Sequence, residues 1–344
     1  MTVAARLGLA ALLAGAVAAP PAVAAEDVAA FYRGKTVTII VGSDSGGGYD
    51  LNARALSRHM ARHLAGEPTI IVQNKPGASS LAAANYVYEV APPDGRFIAA
   101  VQRPVPFQFL FGEAGVHFDL KRIQWLGSTA KEPGVFVAWE TAPQKSLADL
   151  LHGEMIVGGN GASTDTELFA RMMNNLFGTS LRIISGYPGQ NEIVLAMQRG
   201  EVQGVANWSW SDIESRHRDW ISDAKVRFLL QFSLDPIPAL TGVPHILDIA
   251  RSPEERAVLT LLMQNKALGR PYFVAPAVPA ARVAALRAAF DATVKDPAFV
   301  ADATKTVGPV DAVSGAAMQT MLDAVYASPP ALIEKARQLV ATPQ

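Results

Sequence analysis

The chain has 344 residues, half of them hydrophobic and 18% charged. At roughly 150 residues per domain that is enough for two domains with real cores, and it excludes both a disordered chain and a small stapled scaffold. Thirty Lys and Arg against 31 Asp and Glu, mixed along the sequence to a net charge of −1, leave no basic stripe to neutralise phosphates, so a dedicated nucleic-acid binder is excluded. Cys is absent, which removes disulfides, thiolate nucleophiles, zinc knuckles and iron–sulfur clusters together.

Residues 1–25 carry one cation, Arg6, then an uncharged apolar run from 7 to 19, and then small residues at Ala22, Ala24 and Ala25 before the first acid, Glu26. This reads as a secretory signal peptide. The run is shorter than the roughly 20 residues that span a bilayer, and the small residues suit cleavage after Ala24 or Ala25. No later stretch is apolar for long enough to span, so the mature chain is expected in the periplasm.

From there strands and helices alternate. Residues 35–41 (Lys-Thr-Val-Thr-Ile-Ile-Val) form a β-branched run that stops at Gly42-Ser43-Asp44-Ser45-Gly46-Gly47-Gly48. The helical pattern that follows keeps Leu51, Ala55, Met60 and Leu64 on one side and Arg54, Arg58, His59 and Arg62 on the others. A strand over 69–73, a loop over 74–80, a helix over 81–90 ending at Pro92-Pro93-Asp94-Gly95, and a strand over 96–101 complete a first set. The second begins with a strand over 135–139, a short helix over 146–151 and a strand over 154–157 that runs into Gly158-Gly159-Asn160-Gly161-Ala162-Ser163. The helix over 165–177 opens with Thr164-x-x-Glu167, a capping-box signature. A strand over 181–185, a loop from Gly186, a helix over 191–199 and a strand over 202–207 follow. Residues 272–275 and helices near 279–294 and 315–325 are expected to return to the first set.

This alternation predicts an α/β protein of two lobes, each a mainly parallel sheet flanked by helices, with a cleft between them. The expected division is a signal peptide at 1–25, a discontinuous first lobe from 26–128 plus 245–344, and a second lobe from 129–244. Four loops share one construction: residues 42–50, 74–80, 158–165 and 186–192 place glycines and small hydroxyl residues between a strand's C-terminal end and a helix N-terminus. Helix N-termini carry unpaired N–H groups and partial positive charge, so such loops can bind an anion without Arg or Lys.

A family resemblance also enters here. Phe31-Tyr32-x-Gly34-Lys35-Thr36-Val37-Thr38-Ile39-Ile40-Val41, the Gly46-Gly47-Gly48-x-Asp50 loop, Val72-Gln73-Asn74-x-Pro76-Gly77-Ala78 and Ala91-Pro92-x-Asp94-Gly95 occur in order. A weaker match continues through Gly186-Tyr187-x-Gly189, Gly200-Glu201-Val202 and Ala275-Pro276. Together they resemble the substrate-binding receptors of tripartite tricarboxylate transporters, the Bug proteins, over essentially the whole mature chain. The resemblance implies a Venus-flytrap periplasmic binding protein that closes on a small organic carboxylate and delivers it to integral membrane transporter subunits. It implies no cofactor, no metal and no catalysis.

Carried over by motif, the first lobe would contribute Ser43, Gly47, Gly48, Asp50, Gly77, Ala78 and Ser79, and the second Asn160, Ser163, Thr164, Tyr187 and Gly189. Two positions depart from the family pattern: Gly42-Ser43 followed by Asp44, where Pro-Phe is common, and Gln203 in place of Asp. A carboxylate such as Asp44, about 4 Å from a bound dicarboxylate, would be repelled by several kcal/mol at an effective dielectric near 20. Either Asp44 turns to solvent, or the ligand presents a donor such as an ammonium, amide or hydroxyl on that side.

Other motifs have competing readings. Asp44-Ser45-Gly46-Gly47 imitates a serine-protease nucleophile segment but follows a strand that enters a helix. Gly159-x-Gly161-x-x-Thr164 only partly matches a dinucleotide fingerprint. His59 and His63, four apart, lack a nearby carboxylate in sequence to complete a metal site and read as a solvated Arg-rich helix face. Trp208 and Trp210 serve either the core or a cleft wall. The alternatives to a binding protein are an exported hydrolase using Ser45 or Ser163, for which no candidate loop offers a histidine base, and a sensor that presents its ligand to a membrane kinase. Export predicts a mature N-terminus at Ala25 or Glu26 in the periplasmic fraction; N-terminal sequencing that finds residues 1–24 intact in membranes would contradict it.

Overall fold

The computed structural model describes residues 26–341, so the expected signal peptide lies outside the described residues. Among the described residues eleven strands follow in chain order: β1 (Thr36–Val41), β2 (Thr69–Asn74), β3 (Phe97–Ala100), β4 (Gln124–Ser128), β5 (Gly134–Trp139), β6 (Glu154–Gly158), β7 (Ser180–Ile184), β8 (Gly204–Ser209), β9 (Val226–Phe232), β10 (Pro271–Val274) and β11 (Val313–Ser314). They form a six-stranded sheet in the order β11-β4-β10-β3-β1-β2 and a five-stranded sheet in the order β7-β6-β8-β5-β9.

Both sheets are mixed. In the first, β1 runs parallel to β2 and β3, while β10 is antiparallel to β3 and β4, and β11 is antiparallel to β4. In the second, β6 runs parallel to β7 and β8, while β5 is antiparallel to β8 and β9. The expectation of mainly parallel sheets thus holds for the βαβ portions and gives way where strands enter from the other half of the molecule. β1 is buried along all but its first residue, as a continuous β-branched run in a covered sheet should be. β2, at the edge, alternates between exposed and partly buried positions.

The chain passes between the sheets after β4, again after β9, and a third time at its end. The helix Pro330–Val340, expected with the first lobe, packs on the helices Asp165–Phe177 and Pro253–Leu268. Arg171 donates from Nε to the Val340 carbonyl at 2.7 Å, and the Asn175 amide donates to the Leu339 carbonyl at 2.9 Å. The core follows the sheets. One apolar cluster joins residues of both, from Ile40 and Ala99 to Phe136 and Met155, and two others cover the opposite faces around Leu56 and Phe290 and around Trp208 and Ile213.

His59 and His63 face carboxylates after all, from a distant stretch of sequence. Arg58 and His59 both reach Asp302, His59 at 2.9 Å, while Arg62 and His63 both reach Asp296, His63 at 2.8 Å. The helix Gly48–Met60 and the turn after it are thereby tied to the helix Pro297–Thr306, and the face read as solvated is an interhelical contact.

Gly269 sits in the segment that leads from the helix Pro253–Leu268 back to β10, with φ +49° and ψ −96°, and a β-carbon there would lie on the Ala130 carbonyl of the opposite crossover. Backbone cannot swing aside as a side-chain tip can. Gly269→Ala is therefore expected to lower stability by more than about 2 kcal/mol, read as a fall in melting temperature, whereas Gly178→Ala, where a β-carbon meets nothing within 4 Å, should cost less.

Candidate functional site

The C-terminal edges of β1, β2 and β3 face those of β6, β7 and β8 across a cleft of ≈ 500 Å³, and all four glycine loops reach its wall. The lobes are closed on one another. Asn191 donates to the Gly46 carbonyl at 3.5 Å, Arg216 donates to the same carbonyl at 3.4 Å, and the Ser163 hydroxyl donates to Glu113 at 2.5 Å.

The first-lobe loops are braced by two side chains. Ser80, fully buried, donates its hydroxyl to the Gly42 carbonyl at 2.7 Å and accepts the Gln102 N–H at 3.1 Å, so the loops after β1, β2 and β3 meet at one oxygen. A β-carbon on Gly42 would occupy the position of that hydroxyl, which is why glycine ends β1. Asp50 is 1% exposed and accepts from the Gly46 N–H at 2.8 Å, Arg54 at 2.9 Å and Asn74 at 2.9 Å. Burial opposes its charge, but these donors hold the carboxyl below its usual range.

Beyond β2, Gly77, Ala78, Ser79 and Ser80 all have positive φ, the last three at 45°, 52° and 77°. Three successive non-glycine residues in the left-handed region are costly, of order 1–3 kcal/mol each. Gly77, Ala78 and Ser79 line the cleft, and Ser80 is buried behind them. In the second lobe, Thr164 begins the helix Asp165–Phe177 as expected, but no capping box forms. Its hydroxyl donates to the Gly161 carbonyl at 2.7 Å, and Glu167 instead accepts the Gly161 N–H at 2.8 Å and the Ser185 hydroxyl at 2.5 Å. Thr166 donates to the Asn160 side chain at 2.6 Å, which fixes that side of the loop.

Of the residues expected at a ligand, Ser43, Asp44, Gly47, Gly48, Gly77, Ala78, Ser79, Asn160, Thr164, Tyr187 and Gly189 line the cleft. Asp50 and Ser163 do not. Asp50 spends its oxygens on shaping the first loop, and Ser163 bridges the lobes beside the cleft. The Ser43 hydroxyl is buried without a partner among the described residues. Trp208 answers to both of its readings: it is 1% exposed, its indole donates to Asp212 at 2.6 Å, and one edge contributes to the wall.

The floor was not expected from sequence. Arg103 follows β3, and Arg270 precedes β10; because β10 runs antiparallel, its start falls at the same sheet edge as the ends of β1 and β3. Each is 4% exposed. Arg270 donates from Nε to Glu132 at 2.9 Å and stacks on the Tyr49 ring at 4.4 Å. Arg103 donates from Nε to Asp165 at 2.5 Å, linking the first sheet to the first residue of a second-lobe helix. Asp165 also accepts from Lys266 at 2.8 Å and Asn265 at 2.9 Å. Burial pushes against its charge, and Lys266 and Arg103 outweigh that to hold it low, while burial draws the Lys266 ammonium down to about 7.

With this geometry in place, relatives give the context. The sequence profile of the tripartite tricarboxylate transporter family receptor matches residues 52–336. The chain belongs to that receptor family. A UPF0065 protein in the gbd 5′ region of Cupriavidus necator is 28% identical over 257 residues, 71% of this chain and 73% of that one. The periplasmic binding protein BugD superposes with a TM-score of 0.70 at 18% identity, covering 90% of this receptor and 98% of BugD. MatC of Rhodopseudomonas palustris, with bound malate, superposes with a TM-score of 0.68 at 16% identity, covering 89% and 99%. The receptor therefore has the two-lobed binding-protein fold. Among its described residues no helix is long and apolar enough to cross a membrane.

Removing Asp165 would strand two buried cations. Asp165→Ala is expected to lower stability by about 3–5 kcal/mol in a denaturant titration. Lys266→Met should cost much less, since Asp165 keeps Arg103 and Asn265.

Proposed function

We propose that the protein is a periplasmic receptor that captures a small organic carboxylate between its lobes and hands it to the membrane subunits of a tripartite tricarboxylate-type transporter. The observation that carries this reading is Arg270 on the cleft floor, buried, with its terminal nitrogens against Gly48 and without an acceptor among the described residues. The partial positive charge at the helix N-terminus beginning at Gly48 adds to it. In this reading Ser43, Gly47, Gly48, Gly77, Ala78, Ser79, Asn160, Thr164, Tyr187 and Gly189 touch the ligand. Asp50 and Ser163 hold the loops that do. Malate in MatC, a protein of the same fold, supports the ligand class.

A hydrolase is the weaker alternative. No histidine is among the residues lining the cleft, Ser163 lies outside that lining, and the Asp50 carboxylate beside Ser45 is held below its usual range by Gly46, Arg54 and Asn74, which makes it a weak base. The receptor reading predicts stabilisation by mass action, about 2.7 kcal/mol at 100 times the dissociation constant. Thermal melts with a panel of plain, hydroxy- and amino-substituted mono- and dicarboxylates should pick out at least one that raises the melting temperature. If every member leaves it unchanged, the reading fails.

A further inference from the structure

The cleft carries opposite charges at the two ends of one loop. At the Gly48 end, the terminal nitrogens of Arg270 lie so close that a β-carbon on Gly48 would sit about 2.8 Å from one of them. Arg270 is more than nine-tenths buried, its Nε is engaged by Glu132, and those terminal nitrogens have no acceptor among the described residues. At the other end of the loop is Asp44, and across the cleft mouth is Glu192 of the second lobe. Their carboxylate oxygens both lie within 3.5 Å of the point a β-carbon on Gly189 would occupy, 3.5 Å for Asp44 and 3.2 Å for Glu192. Neither carboxylate has a cation or hydrogen-bond donor partner among the described residues. Two like charges brought together by lobe closure, with no counter-ion, oppose that closure unless something positive comes between them.

Resting on the receptor reading above, we propose that Asp44 and Glu192 form a cation subsite completed by lobe closure, and that the ligand is a carboxylate that also bears a cationic nitrogen. Its carboxylate would face Arg270 and the Gly47 and Gly48 amides, and its ammonium or alkylammonium the acid pair. The separation of the two poles along the loop from Asp44 to Gly48 selects for both charges on one small molecule. A plain dicarboxylate would satisfy the first pole and be repelled by the second. Partial burial and Glu192 both raise the pKa of Asp44, in keeping with a carboxylate that lacks its counter-charge.

The test is calorimetry on the intact mature protein with pairs that differ only by an amino group: glutamate against glutarate, aspartate against succinate, and 4-aminobutanoate against butanoate. The expected result is a preference for the amino member of at least one pair by about tenfold or more, the value of a charge-assisted hydrogen bond. Asp44→Asn and Glu192→Gln should each reduce that preference, with the plain member binding as well as before or better. Asp44 is only half-buried, Glu192 is exposed and neither bonds to protein, so both variants should fold, as circular dichroism and the ligand-free melting temperature would check. Tighter or equal binding of the plain members overturns the cation subsite and leaves the receptor reading standing. So does a preference that neither variant changes, or amino-ligand binding that EDTA abolishes, since the acid pair would then hold a metal ion. If no member of any pair binds while a hydroxy-substituted carboxylate raises the melting temperature, the cation subsite is overturned and the receptor reading stands; if no carboxylate of either panel binds, the receptor reading itself falls.

Discussion

The arrangement of the whole molecule turns on one buried carboxylate. Asp165 is the first residue of a second-lobe helix, yet its oxygens are taken by Arg103 from the end of β3, by Lys266 and Asn265 from the helix before the return crossover, and at 3.4 Å by Asn207 from β8. A carboxylate this buried is held charged by its partners, so they must remain where they are for it to stay so. The relation between the two sheets, and with it the shape of the cleft floor, is fixed by that requirement. Glu132 and Arg270 repeat the device one step along, joining the outgoing and returning crossovers.

On this floor the loops perform a different task. They are held from below by Ser80 and Asp50 and present backbone to the cleft, so few side chains stand between a ligand and the N–H groups. Recognition by backbone is tolerant of sequence change, because almost any residue can supply an N–H if the fold supplies the geometry. That tolerance allows a family to keep its fold at low sequence identity while changing what its members hold. The charged residues at the rim and floor are then the positions free to set selectivity.

Much of this was legible in the sequence. The βαβ units were readable because hydrophobic period and glycine punctuation agree at β1, at the helix Gly48–Met60 and at the helix Asp165–Phe177, whose bounds match the sequence reading. The short strands β4 and β11 were not, since a few residues pairing with distant partners leave no periodic signal. The floor was hidden for a related reason. Arg103 lies just past a strand end and was within reach of the strand–loop logic applied elsewhere, but Arg270 precedes its strand, and only the antiparallel entry of β10 brings it to the cleft. Asp50 and Ser163 lie outside the cleft lining, and a motif preserves residue types without saying whether they face the cleft or the loop behind it. The partners of His59 and His63 lie more than 230 residues away in the chain, beyond any local pattern.

The terminal helix Pro330–Val340 separates chain order from mechanical membership. It follows a strand and a helix of the first sheet, but it is fastened through Arg171 and Asn175 to the second. Three strands of polypeptide thus cross between the halves instead of two. A body joined at three points cannot twist as freely as one joined at two. The helix Pro330–Val340 travels with the half whose sequence began two hundred residues earlier, and a probe placed on it would report the motion of the second lobe.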